Sequence, residues 1–138
     1  MFTTQLQTDT QQVLLPILKE KEVELFVKRE DQIHPFISGN KYRKLKYNLA
    51  EAKLQGKKAL FTFGGAYSNH IVATAVAGKL SGLKTIGVIR GNELGVDLEK
   101  TLAQNSTLNE ASKHGMHLEF VSREVYREKN NQNFIAQL

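Results

Sequence analysis

From residue 40 onward the chain predicts an α/β domain, a three-layer arrangement with a parallel sheet between flanking helices. Two observations predict it. Helical and extended patterns alternate as α-β-α-β-α-β-α, and the extended segments are short and nearly all apolar, as strands covered by helices on both faces are. Strands alternating with helices in this way pair in parallel through right-handed crossovers. There is no internal repeat and no low-complexity tract.

The elements follow in order. Residues 1–12 are polar and rich in Gln and Thr, and read as a loose start or a short helix. Val13 to Leu18 is interrupted by Pro16 and reads as an extended or turn segment. From Glu22 to Lys28 the pattern alternates, with Val23, Leu25 and Val27 on one side, which is the period of a strand. A loop through His34-Pro35 carries Ile33, Phe36 and Ile37, unusually apolar for a surface connection.

Asn40 is a candidate N-cap for a helix whose apolar stripe is Tyr42, Leu45, Leu49 and Ala52, with Gly56 at its end. Ala59–Phe63 is a continuous apolar run, expected to be a strand buried on both faces. A tight loop, Gly64 to His70, leads into an alanine-rich helix, Ile71 to Leu80, stopped by Gly82. Lys84–Ile89 is the next buried strand, and Gly91–Gly95 a loop. Leu98–Gly115 is helical at least from Leu108, with Gln104–Thr107 irregular. His117–Val121 is a third strand, Ser122 caps a helical turn over Arg123–Lys129, and Phe134–Leu138 is a last amphipathic piece.

At 138 residues the chain is long enough for one domain with a real core, and 41% hydrophobic with 24% charged residues is ordinary for a globular protein. There is no apolar run of the length of a membrane span and no basic-then-apolar leader pattern, so a cytoplasmic protein is expected. The absence of cysteine excludes disulfides, thiolate catalysis and cysteine metal sites. The formal charge of +5 is spread over the surface, and no basic run is interleaved with aromatics, which argues against nucleic acid. The close histidine pair His114-x-x-His117 is split by Gly115 and lacks carboxylate partners, which argues against a metal.

Two stretches can carry chemistry. The first is Ser38-Gly39-Asn40-Lys41-Tyr42-Arg43-Lys44, where a turn opens onto a helix whose first turn holds three cations. Cations are disfavoured at that end of a helix, so such a turn either accepts a small surface cost or holds an anion. Lys41 reads either as an exposed helix lysine or as an amine kept reactive by its cationic neighbours, able to form a Schiff base with an aldehyde. The second stretch is Gly64-Gly65-Ala66-Tyr67-Ser68-Asn69-His70, a strand-to-helix turn of the kind at which α/β sheets bind ligands. Its glycines let backbone approach a ligand, and Ser68 and Asn69 stand where helix N–H groups hold a carboxylate. The plainer reading makes Ser68 or Asn69 an N-cap only. Neither the dinucleotide fingerprint nor a P-loop is present.

Taken together, Val27-Lys28-Arg29-Glu30-Asp31, Gly39-Asn40-Lys41-x-Arg43-Lys44-Leu45 and Gly64-Gly65-x-x-Ser68-Asn69-His70 closely resemble the family of 1-aminocyclopropane-1-carboxylate deaminase and D-cysteine desulfhydrase. The resemblance runs from about residue 20 to at least residue 121, with order and spacing kept. It implies a tryptophan-synthase-β-like fold (fold type II) and pyridoxal 5'-phosphate as cofactor. It also implies Lys41 as the Schiff-base lysine that afterwards moves protons, and Asn69 as the partner of the cofactor's phenolic oxygen. Ser68 matches a serine near the substrate, assigned as nucleophile in the deaminases, and Lys44 a basic residue that helps hold the cofactor phosphate. The loop from residue 65 to His70 would receive the substrate carboxylate.

Tyr67 and Ala66 stand where better-known members have glutamine and often isoleucine, and His70 resembles the desulfhydrase side. The implied reaction is deamination or β-elimination of a small amino acid, with D-cysteine a candidate. The competing reading is a non-catalytic α/β binding module; a third is a generic anion binder using the cations from Lys41 to Lys46.

The resemblance also implies a division. Residues 1–47 would begin the large cofactor domain, incompletely, and residues 48–138 would form a nearly complete small α/β domain inserted in it. No second glycine-rich loop follows residue 95, and the last helix is still in pattern at Leu138. The chain is therefore expected to be truncated, to bind the cofactor weakly and to be inactive alone, while the full-length form is expected to be a homo-oligomer. The strand over 22–28 is expected to lack its sheet and to expose apolar surface.

Overall fold

The computed structural model describes residues 7–137, so part of the polar start and the final Leu138 lie outside the described residues. The chain begins with a two-stranded antiparallel sheet, β1 (Thr10–Val13) on β2 (Leu25–Lys28), with α1 (Pro16–Glu20) between them. Pro16 does not break a helix here. It opens one, because the first helical position needs no N–H and already has proline's φ. The strand expected over 22–28 is shorter and has a partner after all, supplied by residues expected to be loose. Its apolar side chains nonetheless stay open to solvent, with Phe26 52% and Val27 43% exposed.

The remaining strands form the expected parallel sheet. β3 (Ala59–Gly65), β4 (Lys84–Arg90) and β5 (Met116–Val121) lie side by side in that order. Between them run α3 (Asn69–Ser81), then α4 (Leu98–Gln104) and α5 (Ser106–Lys113). α2 (Asn40–Leu54) precedes the sheet, and α6 (Arg123–Arg127) and α7 (Gln132–Gln137) follow it. The span expected to be irregular is broken only at Asn105, whose side chain accepts the Leu108 N–H and starts α5.

Three layers result. One face of the sheet, including Thr62 and Gly64 of β3 and Ile89 of β4, looks toward α3 and α5. Ile71, Ala75, Ile89, Leu108, Ala111 and Met116 close the core on that side. The stripe predicted for α2 holds in its first three members: Tyr42, Leu45 and Leu49 pack on Ala73, Val76 and Ala77 of α3, with Ile37 sealed beneath. On the other face Phe63 meets Tyr126 of α6 edge-on at 5.8 Å and Phe134 of α7 at 6.5 Å.

β3 is an edge strand rather than one buried on both faces: its burial alternates along Ala59–Thr62, and Phe61 is 38% exposed. β4 is the enclosed strand, with Val88 and Ile89 wholly buried. No helix among the described residues is long and apolar enough to cross a membrane.

Candidate functional site

The site is built where the N-terminal ends of α2 and α3 come together beside the C-terminal end of β3. Gly39, not Asn40, takes the N-cap position of α2, with φ +59°, a conformation that L side chains rarely adopt. Asn40 is the first helical residue and no side chain caps the helix. Lys41 and Lys44 follow in the first turn, Lys41 half-buried and Lys44 exposed. Among the described residues neither amine makes an ion pair or hydrogen bond.

Arg43 is committed elsewhere. Its Nε and a terminal guanidinium nitrogen donate to the two carboxylate oxygens of Glu30, at 2.6 and 2.7 Å. One of those oxygens also accepts the Thr8 hydroxyl at 2.9 Å, and the Glu30 backbone oxygen accepts the Gly39 N–H at 2.7 Å. Arg43, with smaller help from Thr8, holds the Glu30 carboxyl at about 2. Of the three cations in this turn, then, one has an anion among the described residues and two do not. Behind them, His34 Nδ1 accepts the N–H groups of Phe36 and Ile37 and shapes the loop that seats Ile37 in the core.

The second half of the site is the turn after β3. Gly64 has no room for a side chain, since a Cβ there would come within 2.5 Å of the buried Ile71 side chain. Ser68 occupies the N-cap position of α3, yet its hydroxyl does not accept a helix N–H, so the plainer reading of Ser68 as a cap is not what the structure shows. Asn69 is the first residue of the helix and is exposed; Ser68 is half-buried, and neither side chain has a hydrogen-bond partner among the described residues. Ala66 is tucked into the core while Tyr67, 83% exposed, stands outward.

His70 joins the two halves. It is half-buried, and its Nε2 lies 2.8 Å from the Thr62 hydroxyl on β3. Burial first, then the positive charges of Lys41 and Lys44, push its pKa below the ordinary value. The structure therefore brings Lys41, Lys44, Ser68, Asn69 and His70 to one junction. The sequence reading missed Thr62 and Glu30. Thr62 is the one polar residue in an apolar strand run, which is its available signal; Glu30 stands in the sequence only as part of the Val27–Asp31 motif, with no role assigned to it. The histidine pair does not form: His114, at the C-cap of α5, bonds Glu110 of that helix, and His117 is exposed on β5. Among the described residues no group of three or more His, Cys, Asp or Glu could hold a metal ion.

Chemically, the junction offers two amines without counter-ions, a hydroxyl and an amide without partners, a neutral imidazole and an uncapped helix start. Such a start receives anions, and an unpaired amine can condense with an aldehyde.

Comparison with known proteins bears on what shares this arrangement. No family model matches the chain. A putative 1-aminocyclopropane-1-carboxylate deaminase of Pyrococcus abyssi is 40% identical over 83 residues, 60% of this chain and 25% of the relative. The mitochondrial bifunctional D-cysteine desulfhydrase/1-aminocyclopropane-1-carboxylate deaminase of Arabidopsis thaliana is 36% identical over 103 residues, 75% of this chain and 25% of the relative. The D-cysteine desulfhydrase of Klebsiella pneumoniae strain 342 is 34% identical over 85 residues.

The chain is related to the 1-aminocyclopropane-1-carboxylate deaminase and D-cysteine desulfhydrase family.

It spans about a quarter of the length of these curated members of the family. The fold agrees. A solved structure of an ACC deaminase homologue superposes with a TM-score of 0.55 at 27% identity, over 85% of this chain and 42% of that one. The expected α/β sheet of the tryptophan-synthase-β-like type is thus met over the part of the fold that this chain shares with the family.

Proposed function

We propose that the chain carries the lysine side of a pyridoxal 5'-phosphate site that acts on a small amino acid by deamination or β-elimination. The observation that carries the reading is the convergence of Lys41 and Lys44 with the start of α3. Both lysines act electrostatically on His70, the residue that follows Ser68 and Asn69. The donor set fits the cofactor: an amine without an ion pair for its aldehyde, a second cation for its phosphate, and amide and helix N–H donors for its oxygens. When bound, the cofactor supplies an electron sink for the charge left at a substrate α-carbon.

The roles proposed for this chain's own residues follow from their chemistry. Lys41 holds the cofactor and afterwards takes and returns a proton at Nζ. Lys44 balances the phosphate charge. The Asn69 amide donates to the cofactor's phenolic oxygen. The Ser68 hydroxyl and the first N–H groups of α3 receive the substrate carboxylate, with Ser68 placed to act on the substrate in deamination. Neutral His70 lies beside that carboxylate and adds a hydrogen-bonding group without adding a charge. The division into residues 1–47 of a large domain and 48–138 of a small one, and a homo-oligomeric full-length form, belong to the same proposal.

The test is a spectroscopic titration. Addition of pyridoxal phosphate to the purified chain should produce a visible absorption band that saturates weakly and is lost in Lys41→Ala. Asn69→Ala should weaken the apparent affinity by about tenfold, the scale of one hydrogen bond to a charged group. The competing reading, a non-catalytic α/β module, predicts no band with either the wild type or the variants.

A further inference from the structure

We infer that His34 is a positioning residue for the Lys41 turn and an acid-sensitive latch on it. Its neutral ring holds the loop from Ile33 to Gly39 closed, and protonation releases that loop. The inference rests on the proposed function for its consequence at Lys41, but on geometry for its content. His34 Nδ1 lies 3.1 Å from the Phe36 nitrogen and 3.2 Å from the Ile37 nitrogen, and both are backbone amides. A peptide N–H only donates, so Nδ1 presents its lone pair to both, and the proton of the neutral ring sits on Nε2. The direction of these bonds leaves no choice of tautomer.

Protonation is incompatible with the closed loop. An imidazolium carries N–H at both nitrogens, and the new one would face two other donors. The two bonds secure a particular piece of packing. Ile37 is wholly buried and belongs to one cluster with Tyr42, Leu45 and Leu49 of α2. Two residues further on, Gly39 at φ +59° donates to the Glu30 carbonyl at 2.7 Å and opens α2, whose second residue is Lys41. Loss of the Nδ1 bonds frees Ile37 and, through it, the turn that sets Lys41 near His70.

The surroundings do not favour the charged ring. From α2 the Tyr42 ring faces the imidazole, with centroids 6.5 Å apart. Phe36 lies 6.5 Å away in the same loop and packs at 5.3 Å on His114, the C-cap of α5, which is bonded to Glu110. Glu30, at the start of the loop, is bound by Arg43. Burial lowers the His34 pKa, and no charged neighbour among the described residues offsets it. With the folded-state value below the ordinary 6.5, the latch contributes fully above 6.5 and is lost as pH falls through the folded value.

NMR reads the latch without any cofactor. Long-range ¹H–¹⁵N spectra, with His34 assigned by its loss in His34→Asn, should show the Nε2–H tautomer at neutral pH. On acidification the Phe36, Ile37 and Gly39 amide signals should shift with the midpoint of the His34 ring. The open fraction should grow by up to about tenfold per pH unit below that midpoint, the limit for one proton. His34→Asn supplies a side-chain oxygen that accepts nearby backbone N–H groups and does not titrate. In that variant the three amides should stay in place over the same range.

A pyridoxal phosphate titration then joins the latch to the site. From neutral to mildly acidic pH the apparent affinity should fall more steeply in the wild type than in His34→Asn; the pH dependence of the aldehyde and amine is common to both and cancels. An Nδ1–H tautomer, or amides that do not follow the His34 titration, would overturn the inference whatever the cofactor does. A cofactor band with the same pH dependence in both proteins would overturn His34 as a positioning residue for Lys41. Absence of any band, with the three amides still following His34, would sink the proposed function and sustain the latch. Should the asparagine variant not fold, the wild-type tautomer and amide titration decide alone.

Discussion

Glu30 joins three segments through one side chain and one carbonyl: Thr8 before the hairpin, Gly39 at the turn and Arg43 in α2. Its carboxyl lies at about 2 instead of the ordinary 4.5. Because the folded-state value is the lower, the pairing contributes fully above 4.5, and the contribution disappears as pH falls toward about 2. Glu30→Gln should therefore flatten the acid limb of the stability profile across that window, as read by denaturant titrations at stepped pH. An acid limb identical to that of the wild type would show that the carboxylate does not secure the turn.

His70 has the opposite charge type and the same sign of effect. Its value is lowered, so its contribution is complete above the ordinary 6.5 and is lost as pH falls through the folded-state value. Lys44→Gln removes one of the two cations acting on it, and the ¹H NMR titration of His70 should move upward; an unmoved titration would place Lys44 away from the ring.

At the scale of elements, the packing gives two predictions. Asn105 is buried and its side-chain oxygen starts α5, so Asn105→Ala should cost about 1 kcal/mol, within a range of roughly 0.5–2, in equilibrium unfolding. Gly64→Ala forces a methyl group toward Ile71, which is wholly buried, and should cost about 1–3 kcal/mol as overpacking does. A neutral result would mean that Ile71 can turn aside.

These elements also show what a sequence makes visible. The α2 stripe was readable because helical period and burial coincide at Tyr42, Leu45 and Leu49. Pro16 misled because the same residue breaks a helix inside and favours it at the first position. The edge location of β3 depends on strand order, and an apolar run alone does not state it. In the site, Lys41 and Ser68-Asn69-His70 stood out as local motifs. The Thr62–His70 and Glu30–Arg43 bonds did not, because each is made between two elements and exists only once they are packed.

At the scale of the whole molecule, the first elements carry a run of exposed apolar side chains, among them Leu14, Leu15, Ile17, Val23 and Phe26. The β1–β2 hairpin with α1 leaves Leu14 80% and Phe26 52% exposed, and Leu14 lines a groove of about 730 Å³ with Val13, Leu15, Leu18 and Val23 among others. Exposed apolar surface of this kind favours association. Sedimentation velocity should show concentration-dependent self-association that is reduced in a Leu14→Ser/Phe26→Ser double variant; equal association in the two would place the contact elsewhere.

The α2–α3 junction lies apart from that groove and is defined by its amines, partnerless side chains and histidine. Its assignment as a cofactor site is the central claim, and one measurement tests it most directly. The chain is incubated with pyridoxal phosphate, reduced with borohydride, digested and mapped by mass spectrometry. The account predicts pyridoxyl label on Lys41, well above every other lysine. Label spread evenly over the surface lysines, or concentrated on any lysine but Lys41, would contradict it.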